Sequence, residues 1–91
     1  MNKCFLIGKV VSEPIFDFFY LRSNISICHF YLELDEETTI RIYGVDEIAD
    51  FIYQKIHIDQ YVNIEGIVCN NEDDFSAKIT DIEPLKKWNN T

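Results

Sequence analysis

The sequence predicts an all-β domain carrying one short helix. Three observations predict it. Apolar and polar residues alternate in several separate segments, the mark of strands with one face buried. The spacing switches only once to every three to four residues, just after Val45. And 91 residues, 47% of them apolar and 14% aromatic, suffice for a single packed core but not for two ordinary domains.

The first strand is read at Lys3–Val11, rich in β-branched and aromatic residues, with Gly8 marking a bulge or bend. Ser12-Glu13-Pro14 interrupts it, and the aromatic run Ile15–Leu21 continues the same bent strand. In that run Phe16, Phe18 and Tyr20 share a face, and its apolar character on both sides suggests a core side and a self-association side. Arg22-Ser23-Asn24 reads as a hairpin loop. The second strand is Ile25–Leu34, with Ser26, Cys28, Phe30, Leu32 and Leu34 inward and Ile25, Ile27, His29, Tyr31 and Glu33 outward. After the charged turn Asp35-Glu36-Glu37 comes the third strand, Thr38–Tyr43. Ile40 and Ile42 point inward there, and Thr39, Arg41 and Tyr43 outward.

The helix is placed at about Asp46–Gln54. Val45, Ile48, Ala49, Ile52 and Ile56 make its apolar stripe, and Asp46, Glu47 and Asp50 lie opposite, favourably near its N-terminus. Strand spacing returns at Tyr61–Cys69, with Val62, Ile64 and Val68 inward and Gly66 allowing a bend. Asn70–Asp74 is a polar turn, and Phe75–Ile82 is the last strand, followed by Pro84. The domain is assigned to residues 1–85, and 86–91 form a short tail whose Trp88 is a candidate for docking. The order β-β-β-α-β-β is that of the OB fold, a five-stranded, partly open Greek-key barrel with its helix between strands three and four.

Composition narrows the function. Eight Lys and Arg face sixteen Asp and Glu, a formal charge of −8 that repels polyanions at long range. No run of ~18 apolar residues is present to span a membrane. The N-terminus lacks the pattern of a signal peptide, so a reducing cytoplasm is expected. Cys4, Cys28 and Cys69 are too few and too scattered for a disulfide framework and are read as small buried apolar groups. No metal-ligand spacing occurs, and neither acidic turn has a calcium-loop pattern. No nucleophile motif or phosphate-cradling glycine loop occurs, so no enzyme, cofactor or catalytic residue is expected.

Several segments, taken in order, resemble one known family. Asn2-Lys3-Cys4-Phe5-Leu6-Ile7-Gly8-Lys9-Val10 with Pro14 is similar to the opening strand of bacterial single-stranded DNA-binding proteins. Cys28-His29-Phe30-Tyr31-Leu32 and Ile40-Arg41-Ile42-Tyr43-Gly44 resemble their second and third strands. Ala49-Asp50-Phe51-Ile52 fits their helix, Tyr61-Val62-Asn63-Ile64-Glu65-Gly66 their fourth strand, and Ile79-Thr80-Asp81-Ile82 their fifth. The resemblance runs from Asn2 to about Leu85.

The resemblance implies non-sequence-specific binding of single-stranded DNA, with RNA as the alternative ligand, by a homo-oligomeric dimer or tetramer. Bases would stack on aromatic residues and cations would follow the phosphates. Tyr43 matches the stacking aromatic that ends the third strand. Arg41 lies on the same face, and Lys9 sits at the family's basic or polar position. Other family aromatics are replaced: the early third-strand position falls on Glu37, and the hairpin position on Glu72 or Asp73. The family's long, acid-tipped tail has no counterpart in Lys86–Thr91, so recruitment of repair proteins by such a tail is not expected.

The candidate nucleic-acid contacts are therefore Lys9, Arg22, His29, Tyr31, Arg41, Tyr43 and Lys78. Tyr31 and Tyr43 are outward aromatics that either stack on bases or are covered in an oligomer. His29 is a contact to base or phosphate, or simply exposed. Lys9, Arg22, Arg41 and Lys78 form a cationic stripe or scattered surface charge. If all four neutralised phosphates, affinity would fall with salt at a log–log slope of roughly −3. The alternative reading is an acidic OB domain that recognises a basic protein partner, steered by its −8 charge.

Overall fold

A computed structural model describes residues 2–19, 24–71 and 74–85. Six strands and one helix follow in the order β1 Lys3–Val10, β2 Ile15–Phe19, β3 Ile25–Asp35, β4 Thr38–Val45, α1 Glu47–Lys55, β5 Tyr61–Asn71 and β6 Asp74–Pro84. The sheet order is β1-β5-β6-β4-β3-β2, and β1 also meets β3 at Lys9–Glu33 and Val10–Leu32. That last contact closes the sheet on itself. β1 and β2 are the two halves of one bent strand, the first pairing with β5 and the second with β3. Counted so, the molecule is a closed five-stranded OB barrel with its helix between the third and fourth strands.

The alternation placed the core correctly. Cys28, Phe30, Leu32, Ile40, Ile42, Val62 and Ile64 are all buried, and Ser26 is buried at the end of the same row. Leu34 and Val68 are half-buried. The helix covers one end of the barrel with Ala49, Ile52 and, just past its end, Ile56, while Glu47 and Asp50 face solvent. It starts one residue later than expected because Asp46 takes a positive φ of 55° and serves as the N-cap. Its carboxylate makes no cap bond. Instead Asp46 Oδ1 accepts the Ser26 N–H at 3.3 Å and the Asp46 N–H donates to the Ser26 carbonyl at 2.8 Å. This reciprocal pair fastens the start of the helix to β3.

Three details differ from expectation. β1 ends at Val10, because the chain there turns its hydrogen bonds to the β4–β5 connection: Val10 N–H donates to Gln60 and Asp59 N–H donates to Val10. β5 and β6 extend beyond the predicted ends, and Pro84, opposite Val62, closes the ladder. Of the three cysteines only Cys28 is buried, while Cys4 and Cys69 are half-buried. The bend expected at Gly66 is a register shift between Glu65 and Gly66, where β5 meets β6.

Candidate nucleic-acid interface

β3 and β4 send alternate side chains out of the barrel, and their register decides which meet. His29 lies opposite Tyr43, and Tyr31 opposite Arg41. β4 then runs parallel to β6, which sets Lys78 beside Tyr43. Two tyrosines thus each have a cation as cross-strand neighbour on one outer wall. Residues directly opposite on adjacent strands have Cβ atoms about 4.5–5.5 Å apart, close enough to share one ligand.

Tyr31 is 44% exposed. Its backbone is held to the turn after β1, where its N–H donates to Ser12 Oγ at 2.8 Å and its carbonyl accepts Val11 N–H at 2.9 Å. Tyr43 is half-buried, and the Arg41 guanidinium lies over its ring at 5.6 Å from the centroid. The Tyr43 hydroxyl reaches Cys69 Sγ on β5 at 3.5 Å. β6 lies between β4 and β5, so the ring spans β6, and Ser76 on that strand is only 3% exposed.

The charge of this wall differs from that of the whole chain. From Ile27 to Glu33 on β3 and from Thr39 to Val45 on β4, the outward side chains carry one carboxylate, Glu33, and one guanidinium, Arg41. Lys78 joins from β6, and Lys9 from β1 lies in register with Glu33. Asp17 of β2, exposed and in register with Ile27, adds a second carboxylate, so three cations face two carboxylates across this wall of a molecule of formal charge −8. Many carboxylates sit elsewhere: Asp46, Glu47 and Asp50 at the helix start, Asp81 and Glu83 on the far half of β6, and the turn at 35–37. In that turn the Glu37 N–H donates to Asp35 Oδ1 at 2.9 Å, and this bond holds the Asp35 carboxyl below the usual carboxylate range.

Six of the seven candidate contacts can be placed. Tyr31, Arg41, Tyr43, His29 and Lys78 converge on one wall, and Lys9 lies round the barrel at the β1–β3 closure. Arg22 lies outside the described residues, as do Glu72, Asp73 and the tail 86–91. Among the described residues four exposed aromatics were not nominated from sequence: Phe5 on β1, Tyr53 on α1, Tyr61 and Phe75. Tyr61, 55% exposed, opens β5 opposite Lys9. Phe75, 50% exposed, stands at the β5–β6 hairpin on the other face of β6 from Ser76 and Lys78. Its place beside the polar turn was the signal available. Among the described residues no group of three or more metal-ligating side chains gathers, and no helix is long and apolar enough to cross a membrane.

No protein-family description and no curated protein sequence matches the chain. Solved structures do. The single-stranded DNA-binding (SSB) domain of a Synechococcus protein superimposes with a TM-score of 0.82 at 17% identity, covering 90% of this chain and 93% of that one. A deletion mutant of the Thermus aquaticus single-stranded DNA-binding protein gives 0.82 at 15% identity, over 96% of this chain and 42% of that one. The wild-type Thermus aquaticus protein gives 0.75 at 17% identity, over 97% and 52%. The chain thus spans about half the length of the Thermus proteins and nearly all of the Synechococcus domain. At these identities the likeness establishes the shared fold.

Proposed function

We propose that this barrel binds single-stranded DNA without sequence preference, on the outer wall of β3 and β4. The observation that carries the reading is the gathering of two outward tyrosines and two cations on one wall, with Arg41 in register with Tyr31 and over the Tyr43 ring and Lys78 in register with Tyr43, where local charge is not repulsive. Each nucleotide offers a flat base and an anionic phosphate, and this wall offers flat rings with cations among them. The fold shared with single-stranded DNA-binding proteins supports the same reading. Titration with oligo-dT at low salt tests it: binding should quench tyrosine fluorescence, and Tyr43→Ala should weaken binding about 5–100-fold. No quenching in the wild-type chain would sink the reading.

The barrel is further proposed to act as a homo-oligomer. Among the described residues, β1 between Lys3 and Ile7 pairs with β5 on one edge only, and Phe5 and Ile7 stand 69% and 61% exposed beside the other edge. An open, apolar strand edge is a template for a second copy. Ile7→Lys should lower the mass seen in sedimentation, and an unchanged mass would place any interface elsewhere.

One observation favours a second reading, recognition of a basic protein. A cleft of about 260 Å³ between α1 and β6 has an apolar floor of Ile48, Phe51 and Ile82, with Glu47 and Asp81 beside it. A partner retained from extract after nuclease digestion, and lost on Asp81→Lys, would support that reading over the first.

A further inference from the structure

A third tyrosine–cation pair lies on the same outer surface, beyond the two strands that carry the proposed site. Tyr61 on β5 is the cross-strand partner of Lys9 on β1, and both point out of the barrel. On its other side Lys9 is in register with Glu33 of β3, two residues along the same face from Tyr31. The closure of the barrel therefore makes one continuous path along the strand registers: Tyr43 beside Lys78 and under Arg41, then Tyr31 opposite Arg41, then Tyr61 opposite Lys9.

The spacing suits a polymer. Two residues along a strand advance about 6.8 Å, and each step to a neighbouring strand adds about 4.8 Å. The route from Tyr31 through Glu33 and Lys9 to Tyr61 is thus about 16 Å along the surface. That is two or three nucleotides of a strand stretched to roughly twice the ~3.4 Å per-strand spacing of the duplex. Lys9 also offsets Glu33, the one carboxylate on the way.

The platform is rigid where it needs to be. Lys9 and Val10 have strand partners on β3, and β5 or the turn before it pairs on their other side. The turn before Tyr61 is fixed by Val10 N–H to Gln60 at 2.8 Å and Asp59 N–H to Val10 at 2.7 Å, and the Tyr61 carbonyl accepts Leu85 N–H at 2.9 Å. The backbone that carries the Tyr61 ring is fixed before a ligand arrives, which leaves only the side chain to be ordered.

We infer that Tyr61 and Lys9 form an additional nucleotide subsite, so that a bound single strand continues from the β3–β4 wall across the barrel closure to the start of β5. The inference rests on the proposed DNA-binding reading and extends it to a residue that neither pattern nor resemblance nominated. Oligo-dT of increasing length, from ~4 to ~16 nucleotides, separates the two, because that range spans the site sizes of single OB barrels. Tyr61→Ala should leave the affinity for the shortest oligonucleotides unchanged and lower that for the longest about 5–100-fold, while Tyr61→Phe keeps the wild-type length dependence. Tyr43→Ala should weaken binding at every length. Equal affinities of wild type and Tyr61→Ala at all lengths, with Tyr43→Ala still weakened, would overturn the extension and leave the main site standing. A loss in Tyr61→Ala that tracks a change in sedimenting mass would assign Tyr61 to an interface and overturn it too. A wild-type chain that binds no oligonucleotide overturns both.

Discussion

The Tyr43 hydroxyl sits 3.5 Å from the Cys69 sulfur, with strand β6 passing between the two strands that carry them. The Cys69 sulfur also lies 3.7 Å from the Ile67 carbonyl. Either the hydroxyl or the thiol can donate in the contact between them. With Arg41 over its ring, Tyr43 is held at both the ring and the hydroxyl.

This arrangement predicts that Cys69 positions Tyr43 for its ligand. Cys69→Val keeps much of the volume and removes the hydroxyl's partner. Because Tyr43 is only half-buried, its hydroxyl can turn to water, and stability should change by less than about 1 kcal/mol. Freeing one ring to be reordered on binding costs about 0.5–1.5 kcal/mol, so oligo-dT affinity should fall about 2–10-fold. Cys69→Ser, which restores a hydrogen-bonding partner, should recover it. Equal affinities for the Val and Ser variants would show that the sulfur only fills space.

Salt dependence offers an independent measure of the cations. If Lys9, Arg41 and Lys78 each neutralise one phosphate, log affinity should fall with log salt at a slope of roughly −2, at ~0.7 per phosphate on a single strand. Lys78→Gln should flatten the slope by ~0.7 and weaken all sequences alike. A slope unaffected by that change would remove Lys78 from the path, though it stands beside Tyr43 in the ladder.

Local pattern revealed the faces of the strands but not their neighbours. Phe30, Leu32, Ile40 and Ile42 could be placed inside from alternation alone, because a period of two fixes which side chains share a face. The helix followed from the single change of period at Val45. Tyr31 and Arg41 were legible together because a short turn joins their strands and sets the register. The Tyr43–Lys78 pairing was not legible, since β4 and β6 are parallel and separated in sequence by the helix and β5. Tyr61 was missed for a similar reason. Its importance comes from the closure of β1 onto β3, a contact that no periodicity records. Cys69 was read as one more buried thiol because its neighbour Tyr43 lies 26 residues away.

The barrel closure itself depends on Gly8. A Cβ there would collide with the Glu33 carbonyl oxygen and come within 2.9 Å of Leu32 Cγ, on the strand that β1 must meet. The obstacle is largely backbone, which yields less readily than the end of a side chain. Gly8→Ala should therefore cost about 1–3 kcal/mol, as overpacking does. At about 4–8 °C per kcal/mol for a domain of this size, the melting temperature should drop by roughly 5–20 °C. Gly44→Ala is the informative comparison, because its Cβ would meet the side chains of Ile48 at 2.5 Å and Ile52 at 2.8 Å. Those can move with the helix, so its cost should be smaller. If both variants melt together, the backbone contact at Gly8 is not what limits the closure.

Alkaline pH should weaken the fold through Cys28. This thiol is fully buried between β2 and β4, opposite Phe16 and Gly44, and burial pushes its pKa up to about 11 from an ordinary 9.0, with the Asp17 carboxylate adding to the shift. Both causes disfavour the thiolate. The folded chain therefore keeps this proton to higher pH than the unfolded chain does. The stabilisation is fully present below about pH 9 and is lost as pH rises through about 11. Other groups titrate in that window, so the measurement is a difference. Cys28→Ala leaves a small cavity and should be less stable than wild type near neutral pH, but it has no thiol to ionise. The gap in unfolding free energy between the two should narrow by about 2–3 kcal/mol, at about 1.36 kcal/mol per pKa unit, across the rise from about pH 8 to about pH 11. Parallel stability curves would mean that the thiol is not held neutral by the core.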